Sequence, residues 1–394
     1  MVGATGAGTS AAAVTGPIGG AVWTWRLRRG LSPAELTERS GLPHDLVEDL
    51  EAGRTWVDRR RVWAALAAAL HVEAGELAGQ PYPPMGPEHA EARAVAHRLR
   101  KVLAADLRRP LDPTTGATDE LERLLAAAVA ADGAGDDHGL AVVAPELISA
   151  AERAERVTGS ATRERTAELR SRAHAVVAGL LRRLGYRDLA WLVLHRVRAG
   201  GREGATAVAA EETRLLLDLG LPEQALGCAE RSGLAPRSVE MSVLVALAHA
   251  MAGRPERAGT ELDAATGLAR DPCSFAAVAA ARVAVAVEAP DADVASGYAE
   301  LSGPDALPGL DALDPADRVA ALVSLAASAA RAGDFSRAAD ELMAAEVTAP
   351  LRFRLDPFAR ELLVALPPRL AERERAEHVR VERVRATARR AGLP

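Results

Sequence analysis

Aromatic side chains are scarce in this chain. Phe, Trp and Tyr make up 3% of the 394 residues, whereas hydrophobic residues make up 49%, with alanine the most frequent of them. This composition favours close packing of helix on helix over a sandwich or a barrel, whose strands use β-branched and aromatic residues. We therefore predict an all-α protein, and its length indicates more than one packed unit.

Other absences limit the function. Cys228 and Cys273 are the only cysteines and lie far apart in the sequence, so neither a disulfide framework nor a zinc site is predicted. No apolar run approaches the roughly 18 uncharged residues of a membrane helix. A net charge of −6 argues against a nonspecific nucleic-acid coat. Because the first residues lack the basic start of a signal peptide, we expect a cytoplasmic protein.

The sequence also lacks the motifs of common enzyme classes. Its nine histidines are scattered, and none stands in HExxH spacing or beside a cysteine pair. No serine lies in a G-x-S-x-G elbow, and no glycine-rich loop follows a strand. The loop at residues 132–139 holds Asp132, Asp136, Asp137 and His138 but lacks calcium-loop spacing, so we predict a solvated loop. We predict neither catalysis nor a cofactor.

What the sequence does contain is a helix, a tight turn and a second helix within residues 31–53. Ser32 can cap the first helix, Pro33 suits its first position, and Glu35 completes a capping box. Gly41 tolerates the positive φ that a tight turn requires. A helix-turn-helix arrangement is therefore predicted near the N-terminus.

The second helix of this stretch is predicted over residues 43–52 and ends at Gly53. Its apolar positions are Leu46, Val47 and Leu50. The opposite face is expected to be exposed, because residues three and four apart are neighbours on a helix. That face carries His44, Asp45, Glu48 and Asp49.

This pattern resembles the phage-repressor-like helix-turn-helix family, also called the xenobiotic-response-element (XRE) type. The resemblance covers about residues 21–79, including apolar helices at 60–70 and 72–77. The residues that carry it are Leu31, Ser32, Leu36, Gly41, Leu42, Val47, Leu50, Glu51 and Gly53. It implies a five-helix domain that binds double-stranded DNA, with the third helix, residues 43–52, in the major groove. The base-facing side chains would then be His44, Asp45, Glu48 and Asp49.

These base-facing side chains depart from the family, whose members usually place Arg, Gln, Ser or Lys there. A carboxylate can accept from cytosine N4, but phosphates repel it. Residues 21–79 contain eight Arg against nine Asp or Glu, so the domain is not basic. Phosphate contacts are instead predicted from arginines at helix ends, with Asp58 as the cap of the fourth helix. These arginines are Arg28, Arg29, Arg54, Arg59, Arg60 and Arg61.

From about residue 140 the chain repeats a unit of helix, glycine turn and helix. In each unit an alanine follows the turn glycine by five residues. The pairs are Gly185 and Ala190, Gly220 and Ala225, Gly253 and Ala258, and Gly333 and Ala338. A small or apolar residue recurs four positions beyond each alanine, on the same helical face. These residues are Leu194, Ala229, Leu262 and Leu342.

The glycine spacings of 35, 33 and 80 residues place a degenerate turn at Pro290 and Ala295. This periodicity resembles tetratricopeptide (TPR) repeats over about residues 160–350. It implies a right-handed superhelix of helix pairs whose concave face takes a peptide, a protein or a small-molecule effector. A helical stack that serves only to form a homodimer is the alternative left open.

The predicted segments are a flexible leader (1–20), a helix-turn-helix domain (21–79), a proline-rich linker (80–87), connecting helices (88–158), repeats (159–366) and a charged C-terminal helix (367–394). That last helix would cap the stack or project as a solvated tail. We predict a transcriptional regulator that binds an operator as a homodimer. The excess of Arg and Ala indicates a GC-rich genome and therefore a bacterial source. The alternative is a protein-interaction module whose degenerate helix-turn-helix no longer binds DNA.

Overall fold

The structure is a computed structural model that describes residues 15–104, 117–157, 163–197, 201–233, 238–288, 309–372 and 378–394. All regular secondary structure in these segments is helical, which confirms the predicted all-α class. Among the helices of these segments, none is long and apolar enough to cross a membrane.

Five helices form the N-terminal domain, which we define as residues 17–79. They are α1 (Pro17–Arg28), α2 (Pro33–Ser40), α3 (Leu46–Glu51), α4 (Arg60–Leu70) and α5 (Ala74–Leu77). Helix α1 begins inside the segment predicted as a leader, because proline suits the first helical position, where no N–H is needed. Its residues Ile18 and Val22 are buried in the core of the domain.

The remaining helices form the body, which we define as residues 87–394. Its first ten helices are α6 (Pro87–Ala104), α7 (Ala117–Gly133), α8 (Asp137–Val157), α9 (Arg163–Arg183), α10 (Arg187–His195), α11 (Gly201–Asp218), α12 (Pro222–Ser232), α13 (Val239–Met251), α14 (Pro255–Leu268) and α15 (Pro272–Glu288). A short 3-10 helix (Leu310–Ala312) precedes α16 (Pro315–Arg331), α17 (Phe335–Thr348), α18 (Pro350–Leu355), α19 (Pro357–Ala371) and α20 (His378–Arg390). Successive helices pack on one another along the chain, as in a solenoid.

The paired helices of the body are joined by the glycine turns that the spacing predicts. The turn residues Gly185, Gly220, Gly253 and Gly333 all have positive φ, between 73° and 86°. Glycine adopts this region readily because it has no Cβ. The alanines five residues later are fully buried, which lets paired helices cross closely. They are Ala190, Ala225, Ala258 and Ala338. The degenerate turn predicted at Pro290 and Ala295 lies outside the described residues.

A buried ion network joins the start of the body to its end. Asp137, the first residue of α8, is fully buried and accepts hydrogen bonds from Arg183 and Arg352. Asp132 accepts from the same two arginines. Burial alone would raise the pKa of Asp137, but the two guanidinium groups outweigh it and lower that pKa. The prediction of a solvated loop at these residues was wrong, because the partners lie 46 and 215 positions away in sequence.

Two alternatives were predicted for the C-terminal segment, a helix that caps the stack or a solvated tail, and the structure supports the first. Helix α19 continues through Pro367 and Pro368 to Ala371, and α20 packs against α17 and α19. The buried residues of α20 include Val381, Val384 and Ala388. Their offsets of three and four residues form an apolar stripe between the arginines. Helix α20 is therefore part of the packed body and not a solvated tail.

The N-terminal domain and the body share one hydrophobic core. The cluster that contains Leu36 and Leu66 of the domain continues to Leu362 of α19. Trp63 of α4 meets Phe358 of α19 edge to face, with ring centroids 5.7 Å apart. The domain is therefore built into the body and is not tethered beside it.

Candidate nucleic-acid interface

Helix α2 starts at the predicted capping box. The Glu35 N–H donates to the Ser32 hydroxyl (3.2 Å), and the Ser32 N–H donates to the Glu35 carboxylate (2.7 Å). This backbone hydrogen bond is the main cause that lowers the pKa of Glu35. The helix ends at Gly41, whose φ of 64° turns the chain toward α3. Both local predictions for the turn are confirmed.

Helix α3 is shorter than the segment 43–52 predicted for it. The His44 carbonyl accepts from the Thr37 hydroxyl (3.4 Å), and the first helical bond runs from the Asp49 N–H to the Asp45 carbonyl (2.9 Å). Pro43, His44 and Asp45 therefore belong to the turn and the cap. Val47 and Leu50 hold α3 in the core of the domain.

The face predicted to meet bases is open to solvent. His44, Asp45 and Glu48 are exposed, and no part of the described body covers them. Asp49 is less free, because its carboxylate accepts from the Arg54 Nε at 2.6 Å. The structure thus brings the four predicted residues together on one surface, with three of them free to meet a partner.

Two of the predicted phosphate contacts lie at the end of α1. Arg28 and Arg29 are exposed, and their guanidinium carbons lie 5.0 and 5.9 Å from the ring centroid of Trp25. Arg29 also donates to the His71 carbonyl at 3.1 Å. Stacking on an aromatic ring orients both guanidinium groups without neutralising their charge. Each of them can therefore approach a phosphate.

The start of α4, which carries Arg59 to Arg61, is turned toward the body. The N–H groups of Arg60 and Arg61 donate to the carboxylate of Glu288 at 2.7 and 3.1 Å. The guanidinium carbon of Arg60 lies 5.2 Å from the ring centroid of Phe358. Burial raises the pKa of Glu288. The anion that occupies this helix N-terminus is therefore a carboxylate of the chain itself.

Asp58 does not cap α4, so this prediction was wrong. Its carboxylate accepts from Arg331 of α16, with Arg331 Nε 2.7 Å away, and from the indole N–H of Trp56 at 3.1 Å. No side-chain cap is present at Arg59, the residue before α4. The acidic group that serves the first turn is Glu288, from 227 and 228 positions later in the chain.

Arg26 is a structural residue that was not predicted from the sequence. It is buried and paired with Glu51, whose carboxylate oxygen lies 2.6 Å from the Arg26 Nε. The pair ties α1 to the last residue of α3. A signal was available, because Arg26 stands four and eight residues after Val22 and Ile18, on the same face of α1.

A cavity of about 520 Å³ lies between the N-terminal domain and the body. Helix α4 contributes Arg60 and Trp63 to its wall. On the body side, Arg182 donates to Glu211 (2.6 Å) and to Asp218 (2.7 Å), so these lining charges are paired. A ligand in this cavity would touch α4 and the body at once. In the described part of the chain, no group of three or more His, Cys, Asp or Glu side chains is arranged to hold a metal ion.

Comparison with protein-family models identifies the N-terminal region. Residues 18–79 match the model described as a helix-turn-helix domain, a range that begins in α1 and ends just after α5. Comparison with curated proteins and with solved structures gave no match. The match confirms the predicted helix-turn-helix and suggests a DNA-binding regulator.

Proposed function

We propose that this chain is a bacterial transcriptional regulator of the XRE type that binds an operator in double-stranded DNA. The observation that carries the proposal is the helix-turn-helix of residues 18–79, whose α3 face remains exposed although the domain is embedded in the body. An exposed α3 is the element that such domains place in the major groove. We propose a cytoplasmic location for the chain, with no catalytic role and no cofactor.

In the proposed complex, bases are met by His44, Asp45 and Glu48. The two carboxylates would accept from cytosine N4 and disfavour bases that present only acceptors. Arg28, Arg29 and Arg54 would supply the phosphate contacts that orient the domain. We leave the predicted contacts Arg59, Arg60 and Arg61 out of this set, because the start of α4 is turned toward the body, where the N–H groups of Arg60 and Arg61 donate to Glu288.

The proposed role of the body is to form a homodimer and to sense an effector. A TPR-like superhelix would place a peptide, a protein or a small molecule on its concave face. The cavity between α4 and the body, beside Arg60 and Trp63, is a second place for a small molecule. In a dimer, two-fold symmetry would set the two α3 helices about 34 Å apart, one turn of the duplex.

A second candidate is a protein-interaction module that binds no operator. Two observations favour it: the exposed face of α3 carries Asp45 and Glu48, and the N-terminus of α4 is occupied by Glu288. In that case the acidic face would dock a basic partner.

Fluorescence anisotropy with the upstream region of the chain's own gene, at two salt concentrations, separates the two candidates. The regulator is expected to prefer this DNA over a scrambled duplex and to lose affinity as salt rises, because phosphate contacts release counterions. A salt slope near zero without sequence preference would support the interaction module instead.

A further inference from the structure

The segment between α3 and α4, residues 53–58, which we call the α3–α4 loop, is held by side chains of the body. Its Val57 N–H donates to Glu361 of α19 at 3.5 Å, and its Asp58 accepts from Arg331 of α16. Just beyond it, Glu288 of α15 accepts the first N–H groups of α4. The loop and the start of α4 are therefore held by three helices that lie more than 200 positions later in the chain.

Arg369, near the end of α19, forms hydrogen bonds with the part of the loop that lies next to α3. Its Nη2 donates to the carbonyls of Arg54 (2.5 Å) and Gly53 (3.3 Å). Its guanidinium carbon lies 4.8 Å from the ring centroid of Trp56. A planar guanidinium can stack and donate at the same time, whereas a lysine ammonium lacks the planar fork and stacks less well. Arg369 is therefore suited to fix the backbone of this loop.

Arg54 is consequently fixed at both ends. Its carbonyl is held by Arg369, and its Nε donates to Asp49 of α3 at 2.6 Å. Its side chain nevertheless stays 60% exposed, so the guanidinium remains accessible beside α3. Because Arg369 holds its backbone carbonyl and Asp49 holds its Nε, Arg54 loses less freedom on meeting a phosphate than an unrestrained arginine would.

We propose that Arg369 is a positioning residue for DNA binding. It holds the α3–α4 loop so that Arg54 presents its guanidinium next to the exposed face of α3. This inference rests on the proposed function. The N-terminal domain and the body would then both shape the DNA-binding surface. A shift of α19 would move Arg54 directly.

The test compares the full-length Arg369→Ala and Arg369→Lys variants with wild type. Hydrogen exchange, followed by mass spectrometry of peptides that cover residues 53–58, reports on the loop. Anisotropy with the upstream region of the chain's own gene reports on DNA affinity. Arg385→Ala is the matched control, because Arg385 is an exposed arginine that pairs with Glu382 on its own helix.

Arg369→Ala is expected to raise loop exchange about tenfold and to weaken DNA binding about tenfold, the effect of one lost hydrogen bond to a charged group. Arg369→Lys should fall between Arg369→Ala and wild type in both measurements. Arg385→Ala should match wild type. If Arg369→Ala unfolds, exchange rises throughout the chain, and the lysine variant then decides the matter.

Three results would overturn the inference. Unchanged loop exchange in both Arg369 variants would mean that the hydrogen bonds from Arg369 do not constrain the loop. An opened loop with unchanged DNA affinity would mean that Arg369 is structural only. A wild-type chain that binds no DNA would reject the proposed function and the DNA role of Arg369, while the exchange data would still show whether the loop is held.

Discussion

The two faces of the N-terminal domain are built by different parts of the chain. The α2–α3 face depends on neighbours in sequence: Ser32 and Glu35 form the capping box, and Gly41 makes the turn. The α4 face is completed by residues that follow it by 227 to 304 positions, among them Glu288 and Glu361. The local face remains exposed and the remote face is buried. The first is thus available to a partner, and the second joins the domain to the body.

The largest expected difference between the faces concerns one arginine–aspartate pair on each. Arg331→Ala should lower the free energy of unfolding by about 3 to 5 kcal/mol, because the buried Asp58 would lose its cationic partner. Arg54→Ala, which frees the solvent-accessible carboxylate of Asp49, should cost at most about 1 kcal/mol. Urea denaturation of both variants measures the difference. Equal losses would contradict the contrast in burial between the pairs.

Because Glu361 lies at the buried face, the stability of the chain should depend on pH. Burial raises its pKa to about 7, above the ordinary value of 4.5. The folded chain therefore binds this proton more tightly than the unfolded chain does. The resulting stabilisation is complete below about pH 4.5 and is lost as the pH rises through about 7. From this group alone we expect the free energy of unfolding to fall by up to about 3 kcal/mol over that window.

Urea denaturation across a pH series, with wild type and Glu361→Gln, checks this expectation. The neutral amide cannot titrate, so the variant should show a flatter pH dependence than wild type. Parallel curves for the two proteins would place the titrating group elsewhere.

A third contrast uses two glycines with similar backbone angles. Gly41 and Gly220 have φ of 64° and 74°, but a Cβ at Gly41 would meet open space, whereas one at Gly220 would overlap the Cβ of Ala64 on α4. Left-handed strain alone should cost Gly41→Ala about 1 kcal/mol. Gly220→Ala adds overpacking at the junction and should cost about 2 to 3 kcal/mol. Thermal unfolding of the two variants gives the ranking, and the reverse order would contradict the packing of α4 on the body.

The features that the sequence predicts are those of the local face, and the features that it does not predict are those completed by remote residues. The capping box at Ser32, the turn at Gly41 and the spacing from Gly185 to Ala190 are local patterns, and the structure contains them. The partners of Asp58, Asp137 and the start of α4 come from distant positions, and no periodicity links them. A carboxylate such as Glu361 looks like any solvated acid until the fold places it against Ile18 and Val57.

Two features that were not predicted do have a pattern in the sequence. The apolar residues of α20 recur at helical offsets, and Arg26 continues the buried stripe of α1, so both were open to prediction from spacing alone. The hydrogen bond from Arg369 to the Arg54 carbonyl has no sequence pattern, because a bond to a backbone carbonyl requires no particular residue at the accepting position. For that reason the exposed face of α3 was predicted and its support was not.

We propose, in short, that the exposed face of α3 contacts DNA while the body holds the rest of the domain. The most direct measurement is the salt dependence of DNA affinity for the double variant Asp45→Arg plus Glu48→Arg. Its charge-matched control is Asp263→Arg plus Glu382→Arg, which changes two acids of ion pairs on the outside of the body. We expect higher nonspecific affinity and a salt slope steeper by about one to two for the α3 variant alone, because each added arginine can neutralise one phosphate. Equal affinity and slope in the two double variants would contradict it.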